Sequence, residues 1–173
     1  AKDLCFIPYL STEINMWLTL LSVAIFTKHW NSTTSEFMGV KSTSNKGLWG
    51  YCQKVDGSVG VQQIVDVPIS SSNCADYNKP PATLTIIKVL AIGGLLLILA
   101  SISMLYLAPK KREWFIISTI LGGILSVLAA VLWATNKDLK SSNESFGYSY
   151  YMQLVGSIIP IIFGALLQFN VMM

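Results

Sequence analysis

Residues 114–134 read WFIISTILGGILSVLAAVLWA and contain no charged side chain. A helix needs about 20 predominantly apolar residues to cross the hydrocarbon core of a bilayer, so this segment predicts a transmembrane helix. Two further segments meet the same requirement. Residues 84–107 contain one charge, Lys88, and residues 145–173 contain none, which predicts helices over 84–107 and about 147–170.

A fourth helix is predicted over about 8–27, although its apolar run is interrupted. Glu13 lies within it, and Pro8 is tolerated because it falls in the first turn. Only one basic residue, Lys2, begins the segment and no A-x-A cleavage site follows it, so we expect a retained helix and not a signal peptide. With four spans, both termini lie on the same side of the membrane.

The composition agrees with a membrane protein. Of the 173 residues, 53% are hydrophobic and 12% are charged, whereas a soluble domain carries roughly a quarter charged residues. These values exclude a water-soluble globular domain and a disordered chain. The net charge of +3 is small and the lysines are scattered, so no nucleic-acid interface is predicted. The length fits one domain over residues 1–173.

Two features give the chain an orientation. The turn 108–113 contains three cations, which favours the cytoplasmic side. Cys52 and Cys74 lie in the long loop 28–82, as expected of an oxidising extracellular face. The extracellular loops are then 28–82 and 135–146. We expect a multi-pass plasma-membrane protein with both termini in the cytoplasm.

Side chains near the helix ends agree with this orientation. The sequons NST at residue 31 and NES at residue 143 both fall in the extracellular loops, which makes Asn31 and Asn143 glycosylation candidates. Trp114 marks the cytoplasmic interface, while Trp30 and Trp133 mark the extracellular one. Together they predict an aromatic belt.

The first extracellular loop is too long for a structureless connection. Strand character appears at residues 37–40, 48–51 and 59–67, and turn residues separate these stretches at 42–47 and 56–57. We therefore expect a small antiparallel β-sheet lying on the outer ends of the helices.

The cysteines divide into a pair and a single residue. A disulfide between Cys52 and Cys74 would close a loop of about 20 residues and add roughly 3 kcal/mol of stability. Cys5 lies near the cytoplasmic start of the first helix. We expect Cys5 to be a free thiol, with palmitoylation as the alternative.

Small residues recur every four positions along two of the predicted helices, which allows helix backbones to approach closely. They serve either the packing of the bundle or contact with a partner helix. The residues are Ser118, Gly122, Ser126 and Ala130 in the third helix and Gly156, Pro160 and Gly164 in the fourth, with Gly93 and Gly94 in the second belonging to the same argument.

No catalytic, metal or cofactor motif is present, so we expect a protein that is not an enzyme. The single histidine, His29, is expected to be an interfacial residue beside Trp30. Lys88 is expected to extend its ammonium group toward the outer surface.

Glu13 is a candidate for a partner contact, because a carboxylate within a spanning segment is costly and is a functional candidate by default. It lies about five residues inside the predicted helix, roughly 8 Å from its start. From there it could instead pair with Lys110, Lys111 or Arg112 at the inner interface, or handle an ion or a proton.

Six residues in this topology resemble the W…GLW…C…C signature of the claudin superfamily. That superfamily includes the claudins, the epithelial membrane and peripheral myelin proteins, and the gamma subunits of voltage-gated calcium channels. The resemblance covers essentially the whole chain, and the wide cysteine spacing and the Lys-Lys-Arg turn are more similar to the gamma subunits. The signature residues are Trp30, Gly47, Leu48, Trp49, Cys52 and Cys74.

The resemblance implies a left-handed bundle of four transmembrane helices with an extracellular sheet of four or five strands. It also implies that the signature residues anchor the sheet to the membrane.

Two functions follow as expectations. The first is a non-enzymatic auxiliary subunit, surrounded by membrane lipid, that binds and modulates a larger pore-forming channel or receptor. The alternative is a claudin-type junction protein whose copies assemble loop to loop into a paracellular barrier or pore. Glycans on Asn31 and Asn143 would hinder loop contacts between cells, so full occupancy of both sites would count against the junction.

Overall fold

Along the chain, one helix is followed by four strands, two helices, a short fifth strand and a last helix. The computed structural model describes residues 6–37, 40–61, 65–78, 80–107, 112–137, 139 and 144–172. The helices within these ranges are α1 (Phe6–Phe26), α2 (Ala82–Leu107), α3 (Arg112–Thr135) and α4 (Tyr148–Met172). The strands are β1 (Asn31–Phe37), β2 (Val40–Lys46), β3 (Gly50–Val61), β4 (Val65–Asp76) and β5 (Ser145–Phe146).

The four helices form a membrane bundle. In the part of the chain that the structure describes, α2, α3 and α4 are each long and apolar enough to cross a bilayer, and α1 contains an apolar stretch from Met16 to Phe26. Helix α2 packs along α3, α3 along α4 and α4 along α1, whereas α1 and α2 touch only lightly. The flank between α1 and α2 is therefore loosely packed, although side chains around Trp17 and Ile25 join the two helices there.

Small residues lie at the contact between α2 and α3. A Cβ added to Gly122 would lie 2.8 Å from the carbonyl oxygen of Gly94, and a Cβ on Gly94 would meet the Ser126 hydroxyl. Ser126 is fully buried, and Ser118 is half-buried. Gly122 and Ser126 therefore lie in the contact between α2 and α3. Packing within the bundle was one of the two roles expected for them, and contact with a partner helix was the other.

The same holds for the glycines of α4. A Cβ on Gly164 would lie 2.6 Å from Cγ1 of Ile120 in α3, and one on Gly156 would lie 3.2 Å from Cγ of Leu21 in α1. Both glycines therefore let α4 approach its two neighbours closely.

The strands form one antiparallel sheet in the order β4-β3-β2-β1-β5. Strands β1 to β4 belong to the loop between α1 and α2, whereas β5 belongs to the loop between α3 and α4, so the sheet joins the two loops. Strands β3 and β4 pair from Gly50↔Asp76 to Val61↔Val65. They extend past β2, whose pairing with β3 ends at Gly57.

The strand positions predicted within the first loop are only partly right. In the stretch 59–67, residues 59–61 lie in β3 and 65–67 in β4, whereas 37–40 runs from the end of β1 to the start of β2, and 48–49 lie between β2 and β3. The expected turn 42–47 instead falls almost wholly in β2, and 56–57 lie in β3. The reason is that β1 and β2 consist mainly of Ser, Thr, Asn and Lys, whereas apolar residues lie where the sheet contacts the helices.

The main buried cluster lies where the sheet meets the helix bundle, so sheet and helices share one core. Side chains from three helices pack there against residues at the base of the sheet. The fully buried members are Ile25, Trp30, Leu48, Leu84, Ile87, Ala91, Ala129 and Trp133.

Candidate functional site

Trp30 joins α1 to both loops at the base of the sheet. Its side chain is fully buried, and its indole Nε1–H donates to the carbonyl oxygen of Ala24 at 2.7 Å. The ring centroid lies 5.1 Å from that of Trp133. Its backbone N–H donates to Lys46, and its carbonyl oxygen accepts from the N–H of Gly147.

The tripeptide 47–49 carries the connection from β2 to β3 onto the ends of the helices. A Cβ on Gly47 would lie 2.5 Å from the Cα of Lys28, so only glycine lets the two backbones approach this closely. Leu48 is fully buried in the shared core. Trp49 donates its Nε1–H to the carbonyl oxygen of Ile25 at 2.9 Å. The tripeptide therefore anchors the sheet to α1.

Cys52 and Cys74 are directly paired residues of β3 and β4. Their sulfurs form a disulfide, with the Cα atoms 4.1 Å apart. The bond links the two longest strands near the base of the sheet. It closes a segment with a sequence separation of 22 residues.

Asn31, the first residue of β1, is the centre of a buried polar cluster. Its Oδ1 accepts from the indole Nε1–H of Trp133 at 3.0 Å. Its Nδ2 donates to the carbonyl oxygen of Leu139 at 3.1 Å and to Oε2 of Glu144 at 3.0 Å. The other oxygen of Glu144 accepts from the ammonium of Lys46 at 2.5 Å. One carboxamide thus links β1, α3 and the second loop.

The folded structure leaves no room for a glycan on Asn31, which corrects the expectation drawn from its sequon. Its side chain is 1% exposed, and both Nδ2 hydrogens are used within the protein. Trp30 and Trp133 are fully buried rather than members of a lipid-facing belt, whereas Trp114 is 63% exposed. Asn143 lies outside the described residues.

Charged and aromatic groups surround the base of the sheet, where it meets the helices. The ammonium of Lys28 lies 2.8 Å from Oδ1 of Asp76 and, by hydrogen bond and charge, holds the pKa of that carboxyl below its usual range. Burial, followed by the charge of Glu144, raises the pKa of Tyr77 to about 12. His29 stacks on Tyr148 with ring centroids 4.7 Å apart, consistent with an interfacial residue.

Of the remaining predicted residues, the structure describes Glu13 and Arg112. Glu13 lies in α1, and Arg112 is the first residue of α3. Lys110, Lys111 and Cys5 lie outside the described residues. The pairing of Glu13 with the basic turn therefore stays a prediction.

These observations define a membrane-embedded four-helix protein with a disulfide-linked sheet fixed to its helix ends by tryptophans. The chain belongs to the PMP-22/EMP/MP20/Claudin family, whose family model matches residues 5–167. No individual curated protein matches the chain at a significant level.

The arrangement holds two loops and four helices together. Among the residues that the structure describes, no three His, Cys, Asp or Glu side chains form a group that could hold a metal ion. The sequence does not reveal the structural roles of Asn31 and Glu144. No local signal marks them, because the two residues lie 113 positions apart.

Proposed function

We propose that this family member is a non-enzymatic auxiliary subunit of the plasma membrane that binds and modulates a larger ion channel or receptor. A subunit can shift the gating equilibrium of its partner only if it binds two gating states with different affinity. It therefore needs a surface on which a partner's helix can pack.

The observation that carries this proposal is the outward position of Gly93 in α2. A Cβ added to Gly93 would meet no atom within 4 Å, unlike one on the neighbouring Gly94. Val89 and Leu96, on the same helix face, are 64% and 58% exposed, and Ala100 is exposed as well. Small residues on a lipid-facing surface let the backbone of a second helix approach closely.

The test is purification of the tagged protein in mild detergent, with mass spectrometry of the proteins that accompany it. We expect a stoichiometric pore-forming subunit with the wild type and with Leu128→Trp, which adds bulk to an exposed position of α3. Gly93→Leu should lose that subunit while the bundle stays folded. Recovery of homo-oligomers alone, or of junctional scaffold proteins, would contradict the proposal.

Glu13 is a second element of the same proposal. If it contacts a basic residue of the partner within the membrane, Glu13→Gln should weaken co-purification. If it pairs only with the basic turn of its own chain, the variant should leave the complex intact.

The second candidate function is a junction protein that assembles loop to loop. Phe37, at the end of β1, favours it because this aromatic side chain is 73% exposed at a hairpin connection of the sheet. Since Asn31 is buried, glycan occupancy can test this alternative only at Asn143. Clustering of the protein where two expressing cells touch, lost in Phe37→Ser, would favour the junction.

A further inference from the structure

We propose that Lys88 binds the phosphate group of a membrane phospholipid at the loosely packed flank between α1 and α2. The lipid would belong to the leaflet on the side of the bundle where the sheet lies, here called the sheet-side leaflet. This inference goes beyond the proposed function, since it holds for either an auxiliary subunit or a junction protein.

Lys88 is the only charged residue in α2. It follows the first residue of the helix by six positions, which is about 9 Å along the axis. Helical side chains lean toward the helix N-terminus, and here that direction leads to the sheet-side surface. A long lysine side chain can thus bring its ammonium group to the depth of the lipid phosphates.

The ammonium group is held at a defined place. Its nitrogen lies 4.7 Å from the ring centroid of Trp49. That ring is itself fixed by its hydrogen bond to Ile25 and by stacking on Phe26, with centroids 6.2 Å apart. The contact between a cation and the aromatic face leaves other N–H donors of the ammonium group for an anion.

Among the described residues, Asp76 carries a carboxylate that interacts with this cation, but only as the weakest influence on the pKa of that carboxyl. The nearby Asp76 forms its ion pair with Lys28 at 2.8 Å. Lys46 and Lys54 have carboxylate partners of their own, whereas no described carboxylate lies within 4.0 Å of Lys88. Two lysines and one aspartate at this flank leave one positive charge, which is complementary to the phosphate of a phospholipid.

Apolar surface next to Lys88 suits the acyl chains of the same lipid. Phe26 is 67% exposed. It stacks on Trp49, the ring that Lys88 contacts, at the loosely packed flank between α1 and α2.

The test compares lipids with and without the phosphate on the full chain in detergent. Native mass spectrometry would count bound dioleoylphosphatidylglycerol, dioleoylphosphatidylcholine and dioleoylglycerol for the wild type and three variants. Lys88→Gln removes the charge, Lys88→Arg keeps it, and Lys41→Gln removes an exposed lysine of β2 as the charge-matched control. An intact Cys52–Cys74 bond, measured by mass without reductant, reports that each variant has folded.

We expect both phospholipids to bind the wild type more tightly than the diacylglycerol does. Lys88→Gln should weaken phospholipid binding by about tenfold, as loss of one charge-assisted hydrogen bond predicts, and leave diacylglycerol binding unchanged. Lys88→Arg and Lys41→Gln should resemble the wild type. Equal phospholipid binding by Lys88→Gln and wild type would overturn the proposal, and so would equal binding of diacylglycerol and phospholipids by the wild type.

Discussion

Asn31 links the first strand of the sheet to the end of α3 and to the second loop. Its carboxamide makes three hydrogen bonds, to Trp133, Leu139 and Glu144, at positions more than 100 residues away. The sequence favoured a surface role because Asn31 begins a sequon in a loop. That pattern describes only three consecutive residues, so it contains no information about the partners that bury the side chain.

We predict that Asn31→Ala destabilises the protein by about 2–4 kcal/mol, because it removes the partner of the buried Trp133 N–H and the donor to the Leu139 carbonyl, and leaves Glu144 only its ion pair with Lys46. The measurement is the thermal unfolding of the purified protein in detergent. Thr33→Ala is the matched control, since it removes the sequon and keeps the carboxamide. A destabilisation of equal size in both variants would contradict this role of Asn31.

Tyr77 gives the protein a dependence on alkaline pH. Its hydroxyl donates to the carbonyl oxygen of Gly47 at 3.2 Å, and burial raises its pKa from 10.0 to about 12. Between these values the unfolded chain loses the proton while the folded chain keeps it. The contribution of Tyr77 to the free energy of unfolding is therefore independent of pH below pH 10, and it falls as the pH rises from 10 toward 12.

The check is the free energy of unfolding of the wild type and Tyr77→Phe as a function of pH. The difference between the two should be constant below pH 9 and should shrink between pH 10 and 12. A difference that does not change across this window would show that Tyr77 ionises alike in both states.

At the scale of the elements, the helices could be predicted from sequence, whereas of the strands only part of β3 and β4, in the stretch 59–67, could be. Hydrophobic length alone defines a span, because lipid accepts few charges over about 20 residues. The first two strands have no such signal. β1 and β2 consist mostly of polar residues, and the apolar residues Leu48 and Trp49 lie between strands because they contact the helices.

Gly93 and Gly94 are adjacent in α2 but lie on different faces of that helix. Gly94 faces α3, and Gly93 faces outward. We predict that Gly94→Ala costs about 1–3 kcal/mol, since its Cβ would lie 2.7 Å from the carbonyl oxygen of Gly122 and meet Ser126 as well. Gly93→Ala should stabilise by up to about 1 kcal/mol through helix propensity. Denaturant unfolding of both variants measures this, and equal effects would argue against the assigned faces.

For the whole molecule, the shared core makes the sheet and the bundle mutually dependent. We predict that Leu48→Ala costs about 2–5 kcal/mol, the range for a buried leucine, and that it increases hydrogen exchange both in β2 and β3 and in the first turns of α2. Leu121→Ala, at an exposed position of α3, is the control and should change stability by less than about 1 kcal/mol. Faster exchange in the sheet alone would contradict a common core.

The fifth strand has a consequence for the order in which the protein can mature during synthesis. The first four strands leave the ribosome early, yet β1 meets its outer neighbour only when residues 145 and 146 arrive. Asn31 likewise waits for Trp133 and Glu144. A nascent chain that stops after its third helix therefore has an incomplete sheet and unsatisfied polar groups at Asn31. Synthesis of the last quarter of the chain supplies β5 and Glu144, and so completes the folding of the first quarter.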